Sequence, residues 1–326
     1  MTHHGPVALV EAELLAALLV GAAVVYVAAA RGAAWPVGRT VRLLLGIGTA
    51  VAGVAVWSLG GAHDLRLHVV GHLLLGMVAP LLLVTAAPVT LALRALPREH
   101  ARTLGRLLRR RPLAVLTHPV VAALLDVGGL WLMYRTALLS DVSPLLLQAH
   151  MLLAGYLFAV ALIGPDPAPH RPGLVVRAGV LVAAVAAHDV LAKLLYATPP
   201  PGVPVAQAEA AGLLMYYGAA PVHVALFVLL GREWSAGQRR ARARRLLSQE
   251  AAPRSAAAAA TACSAASHVE NASHSPGAAA RISAGEGWPS MPPRTTPASR
   301  ASNIPAATSQ ILVPASTAQS KRPQAR

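Results

Sequence analysis

Long apolar stretches alternate with short arginine-bearing segments along the first 231 residues. The stretches cover residues 7–30, 40–59, 67–93, 116–139, 144–164, 174–197 and 209–231. A helix rises about 1.5 Å per residue and the bilayer core is about 30 Å thick, so about 20 apolar residues are enough to cross it. The pattern predicts an all-α polytopic membrane protein with about seven transmembrane helices in a bundle.

Two of these stretches carry further information. The third contains Pro80 and Pro88 and is longer than most, so we expect it to be kinked or tilted. The first opens with Glu11 and Glu13 and has no basic leader. We therefore expect it to be a retained span rather than a cleaved signal peptide.

The chain changes in composition near Trp234. From there it is rich in Ala, Ser, Pro and Thr and shows no apolar period. Such a segment cannot bury a hydrophobic core. The sequence therefore predicts a transmembrane domain over residues 1–233 and a disordered cytoplasmic tail over residues 234–326.

Overall composition agrees with a membrane protein. The chain is 55% hydrophobic and 13% charged, and its formal net charge is +15. Arginines concentrate in the segments after the first, third, fifth and seventh stretches, which the positive-inside rule places in the cytoplasm. We expect a multi-pass protein of the bacterial plasma membrane, with the N-terminus outside and the C-terminus inside. The charge thus indicates orientation in the lipid bilayer rather than nucleic-acid binding.

Two classes of chemistry find no support in the sequence. The single cysteine, Cys263, excludes an internal disulfide and a paired-thiolate metal site. Walker, GxSxG and HExxH motifs are absent. The sequence therefore predicts a protein that is not an enzyme.

Histidines within the apolar stretches are the main candidates for function, because a polar ring in hydrocarbon is costly without a partner. His68 and His72 are one helical turn apart and face the same way, as in a common metal half-site. His150 and Met215 are predicted to lie at similar depth in the outer half of other spans, and His188 near the middle of its span. Imidazole and thioether donors without thiolates favour copper, as Cu(I), over zinc, magnesium or calcium.

Four of these residues also have a structural interpretation. His68 and His72 can be interfacial rings bonded to water or headgroups, and His150 can bond between helices. A buried methionine such as Met215 often simply fills a gap in the core.

Four acidic or basic residues in the spans also have more than one possible role. Asp189 can pair with Lys193 four residues on, or it can orient a ligand imidazole. Asp126 and His223, predicted nearer the cytoplasm, can pair with each other.

Short motifs in order along residues 10–235 resemble the CtaG-type polytopic family of cytochrome c oxidase assembly factors. They are HVVGHLLLGMVAP at His68–Pro80, APVTL at Ala87–Leu91, THP at Thr117–Pro119, GPDP at Gly164–Pro167 and GLLMYYG at Gly212–Gly218. Members of that family often carry acidic residues before and after the last motif. Here Gln207 and Glu209 precede it, and Ala219–Pro221 follow it without an acid.

The resemblance implies a role in maturing haem–copper oxidases, with oxidase subunits or other copper-handling proteins as partners. The resulting hypothesis is a membrane assembly factor that holds copper near its outer face. Its predicted metal ligands are His68, His72, His150, His188 and Met215.

Two alternatives stay open at this point. A copper or other cation transporter requires a polar path through the membrane, to which Asp126 and His223 could contribute. A b-type haem protein requires two axial histidines on facing helices, for example His72 and His150.

Overall fold

The computed structural model describes residues 5–61, 64–136, 142–166 and 171–273, and every element in these ranges is helical. The α-helices are α1 (Gly5–Gly32), α2 (Val37–Val56), α3 (Leu65–His72), α4 (Ala79–Thr85), α5 (Pro88–Ala95), α6 (Arg98–Leu108), α7 (Arg111–Leu116), α8 (Pro119–Ala123), α9 (Gly129–Arg135), α10 (Pro144–Ile163), α11 (Leu174–Ala197) and α12 (Val205–Ser273). Wider π-helical turns occupy Trp57–Gly61, Leu73–Val78 and Leu124–Gly128. The chain divides into one unit up to Ser248 and a second from Gln249 onward.

Six of the predicted spans are helices long and apolar enough to cross a membrane. They are Leu9–Gly32, Val37–Val56, Leu65–Thr85, Pro144–Ile163, Leu174–Ala197 and Val205–Leu246. The fourth predicted stretch folds as α8, a π-helical turn and α9 in direct succession, from Pro119 to Arg135. Its predicted end at 139 lies outside the described residues. The all-α, polytopic fold predicted from the sequence is confirmed.

The third predicted span ends earlier than the apolar pattern indicated. The helix stops at Thr85, and Ala87 adopts a left-handed conformation with φ 55° before Pro88 starts α5. Proline restricts the residue before it and lacks an N–H, which explains a break at this position. The helix is therefore broken before Pro88, whereas at Pro80 it continues directly from the π-helical turn at Leu73–Val78.

The carboxylate of Asp166 caps the start of α5 from a distant part of the chain. The backbone N–H groups of Val89 and Thr90 donate to its two oxygens at 3.2 and 2.7 Å, and the Thr90 hydroxyl donates at 2.5 Å. A carboxylate at a helix N-terminus satisfies free N–H groups and interacts well with the helix dipole. The APVTL motif is thus in direct contact with Asp166 of the GPDP motif.

The first helix, α1, contacts the segment just before α5. Tyr26 of α1 donates a hydrogen bond of 2.9 Å to the carbonyl of Ala86, and the Trp35 indole donates to the Tyr26 hydroxyl at 2.7 Å. The guanidinium groups of Arg39 and Arg94 lie 4.8 and 5.3 Å from the Trp35 ring centre. Aromatic and cationic groups in this arrangement attract one another.

An ion pair between a buried arginine and an exposed glutamate connects α11 with α12. Arg177 donates to both carboxylate oxygens of Glu233 at 2.8 and 2.7 Å and to the carbonyl of Leu162 at 2.7 Å. The Arg177 side chain is only 5% exposed. A bidentate contact between guanidinium and carboxylate groups adds geometric specificity to the attraction between their charges.

The last helix runs further than the composition indicated. It continues beyond residue 234 to Ser273 and includes the alanine run at 256–260. Alanine has the highest intrinsic helix propensity, which accounts for a helix where no apolar period exists. The domain boundary at 233/234 stays a prediction, and residues 274–326 of the predicted tail lie outside the described residues.

Close backbone approach joins α10 to the π-helical turn at Leu73–Val78. A Cβ on Gly155 would collide with the carbonyl oxygen of Gly76 and lie 3.0 Å from the Pro80 ring. Only glycine allows the two helices to approach this closely.

We predict that Gly155→Ala lowers the thermal midpoint of the purified protein by several degrees. Overpacking a tight contact costs about 1–3 kcal/mol. The control is Gly179→Ala in α11, where nothing lies within 4 Å of the added Cβ. Equal midpoints for both variants would contradict the assigned packing.

Candidate metal centre

A small cavity lies inside the first unit, among the helices that follow α2. Its volume is about 40 Å³, and its polar lining consists of His72, Asp126, His188 and His223. The remaining lining is apolar or glycine, including the thioether-bearing Met77. A space of this size holds a water molecule or a single ion.

Three imidazoles from three different helices meet at this cavity. The ring centres of His72 and His188 are 5.9 Å apart with nearly parallel planes, and those of His188 and His223 are 5.1 Å apart at a right angle. Exposure is 3% for His72, 4% for His188 and 9% for His223. The three rings are therefore shielded from bulk solvent.

Four ring nitrogens at this cavity lack hydrogen bonds. Within the described ranges, neither nitrogen of His72 and neither nitrogen of His188 has a hydrogen-bond partner. Burying a polar group without a partner costs free energy. Such atoms mark a place where an ion or a polar ligand would be stabilising.

Asp189 places a carboxylate beside two of the rings. Its Oδ1 lies 3.7 Å from Nδ1 of His188 and 4.0 Å from Nδ1 of His223, too far for hydrogen bonds. One ligand atom from each of these three residues lies within 4.8 Å of the others, a spacing suited to a shared cation. Lys193 instead lies over the Tyr216 ring at 5.3 Å. The geometry therefore favours a role for Asp189 beside the imidazoles.

Two π-helical turns shape the cavity wall. One begins directly after His72, and the other contains Asp126. A π-helical turn inserts an extra residue into a helix and often occurs at functional sites. Gly76 leaves room for the His72 ring, because a Cβ there would lie 3.2 Å from Nδ1.

The structure brings together two of the five predicted ligands, His72 and His188. His68 lies one helical turn from His72 and packs against Trp57 and Tyr134, with ring centres 4.0 and 5.4 Å away. It is not among the residues that line the cavity.

His150 and Met215 also lie elsewhere in the described structure. The exposed His150 has its Nε2 3.1 Å from the carbonyl oxygen of Leu125, and its ring rests against Gly129. This is the inter-helix hydrogen bond that the sequence left open. Met215 is fully buried among apolar side chains, as a packing residue would be.

His223 and Asp126 complete the set, although the predicted ligands did not include them. Both carry the same sequence signal as His72, a polar group inside an apolar span. The sequence pattern placed Asp126 and His223 in the cytoplasmic half of the membrane, and therefore apart from the other histidines. The structure places all four residues at one cavity.

Comparison with known proteins gives a consistent result. The family model described as cytochrome c oxidase caa3 assembly factor (Caa3_CtaG) matches residues 20–237. An uncharacterized protein of Mycobacterium leprae is 36% identical over 176 residues, which is 48% of this chain and 26% of the relative. Another from Mycobacterium bovis is 37% identical over 172 residues, with the same shares.

The matched region spans about a quarter of the length of these relatives. No solved structure is a significant match to the chain. The family match covers about two thirds of the chain and every residue of the candidate metal centre, so the chain belongs to the Caa3_CtaG family of cytochrome c oxidase caa3 assembly factors.

Proposed function

We propose that this protein holds copper for the assembly of a haem–copper oxidase, in the cavity lined by His72, His188 and His223. The observation that carries the proposal is the group of unpartnered imidazole nitrogens of His72 and His188. The partners are oxidase subunits or other copper-handling proteins. The setting is the bacterial plasma membrane, with the N-terminus outside and the C-terminus in the cytoplasm.

The available donor atoms support copper over other metals. Imidazole suits copper, zinc, iron and nickel, whereas thioether ligands select Cu(I). Met77, which carries a thioether, is one of the residues that line the same cavity. Magnesium and calcium prefer cages of oxygen ligands, which this cavity does not offer. The combination favours Cu(I).

The same donors suit an ion that is cargo rather than a permanent cofactor. Thiolates bind Cu(I) tightly, and the described cavity contains none. Imidazole ligands compete with protons, so binding to them weakens as they become protonated. A site built this way can acquire copper and release it to a partner without catalysing a reaction.

The proposed site lies deeper than the hypothesis based on sequence placed it. That hypothesis centred on His68, His72 and His150 near the outer surface. The present proposal keeps His72 and His188, adds His223, and assigns His150 to its contact with the Leu125 carbonyl. Asp189 provides a nearby negative charge for a bound cation.

A transporter is the second candidate, and one observation favours it. Asp126 lines the same cavity as the three histidines, which gives a cluster of polar groups in the interior of the membrane bundle. Transporters place ion sites in such positions. The haem alternative fits less well, since a cavity of about 40 Å³ is far below the ~300–1,000 Å³ of ordinary cofactor pockets.

The first test measures Cu(I) bound per chain under anaerobic conditions. We expect one copper in the wild type and, because a buried ligand is lost, an affinity lower on the order of tenfold or more in His188→Gln and His72→Gln. The matched control is His150→Gln, which we expect to bind as the wild type does. Circular dichroism and the elution profile confirm folding of each variant. Equal copper affinity in all four proteins would exclude this site.

A second test separates holding from transport. Purified protein in sealed vesicles is supplied with Cu(I) outside, and copper trapped inside is measured over time. We expect copper only in the amount that the protein itself binds. Accumulation well above that amount, abolished by Asp126→Asn, would instead establish the transporter.

A further inference from the structure

We propose that Ser58, His68, Tyr134 and Gln148 form the access path along which Cu(I) reaches the cavity, with His68 as its first ligand. The proposal rests on the copper-holding function above. None of these four polar residues lines the cavity itself.

These four residues lie at the same end of the bundle. Ser58 follows the end of α2, His68 is in the first turn of α3, Tyr134 precedes the last residue of α9, and Gln148 is in the second turn of α10. Consecutive spans run in opposite directions, so these helix ends meet at one membrane face. The start of α3 is capped there by Asp64, whose side chain accepts the N–H of Arg66 at 2.8 Å.

Direct contacts connect members of this group. The His68 ring packs against Trp57, the residue before Ser58, and meets Tyr134 edge-on. Gln148 donates a hydrogen bond of 3.1 Å to the Ser58 hydroxyl. Polar side chains from four consecutive spans therefore lie around the outer turn of α3.

Two polar atoms in the group are buried without a partner. In the part of the chain that the structure describes, the Tyr134 hydroxyl and the Gln148 carbonyl oxygen have no hydrogen bond. Gln148 is 1% exposed, and Tyr134 is 8% exposed. Unsatisfied atoms at these positions would interact favourably with a cation or polar species that passes them.

Exposure decreases from His68 to the cavity. His68 is half-buried, whereas His72, one turn further along the same helix face, is almost completely buried. From His72 the next ring is that of His188, 5.9 Å away. In the proposed path, an ion that enters at this face would meet His68 before His72.

The transfer itself is a ligand exchange. A bond from Cu(I) to the His68 imidazole is replaced by one to the His72 imidazole, and the copper remains Cu(I) throughout. Neutral rings serve at both positions, so no electron or proton is consumed. The Trp57 and Tyr134 rings that contact His68 are of the aromatic type that attracts cations.

The test follows the rate of copper loading into the full-length protein from a coloured Cu(I)–bicinchoninate complex. We expect His68→Phe to load at least tenfold more slowly than the wild type and to reach the same final copper per chain. Tyr134→Phe keeps the ring and removes only the hydroxyl, and we expect it to be slowed to a smaller extent. The matched control, His150→Phe, should load at the wild-type rate.

Three results would separate failure of the access path from failure of the copper-holding function. Wild-type loading rates in both His68→Phe and Tyr134→Phe would overturn the access path and leave the cavity site intact. A lower final copper content in a folded His68→Phe protein would make His68 a holding ligand and also overturn the path. A wild-type protein that takes up no copper would exclude the proposed function itself.

Discussion

The burial of three imidazoles inside an apolar bundle is the constraint on which the structure depends. Each unsatisfied polar group in a protein interior costs about 1–3 kcal/mol. His72 and His188 together present four such nitrogens among the described residues. The surrounding helices must pack well enough to hold these rings in place despite that cost. A cation shared between the rings would satisfy the lone-pair nitrogen of each, which is why the geometry and the copper proposal support each other.

Polar contacts far from the cavity keep the packing in place. Asp166 caps α5 from another loop, and Arg177 bridges α11 to Glu233 of α12. Near the cavity, Gly155 lets α10 approach the π-helical turn that follows His72. Binding residues held by rigid neighbours keep their geometry without a ligand, and this lowers the cost of binding. The two family motifs that meet at Asp166 are thus structural and support the site from a distance.

The hydrophobic pattern predicted the spans well, because length and apolar content alone decide whether a helix can cross a bilayer. The same pattern singled out His72 and His188, which lie at one cavity, because a polar ring in an apolar span is conspicuous. It could not predict which way His150 faces, because α10 is apolar on nearly every side and gives no periodic signal of its inner face. The π-helical turns, which rotate the residues after His72, have no comparable sequence signature. His223 was separated from its partners because position along a span is a poor guide to depth when helices are kinked or tilted.

The most direct measurement of the central claim is the X-ray absorption spectrum of copper in the Cu(I)-loaded protein. The account predicts nitrogen neighbours together with the outer-shell scattering that is characteristic of at least two imidazoles. It also predicts that the imidazole contribution decreases in His188→Gln. A copper environment without imidazole scattering, or one that His188→Gln leaves unchanged, would contradict the assignment of these histidines as the binding site.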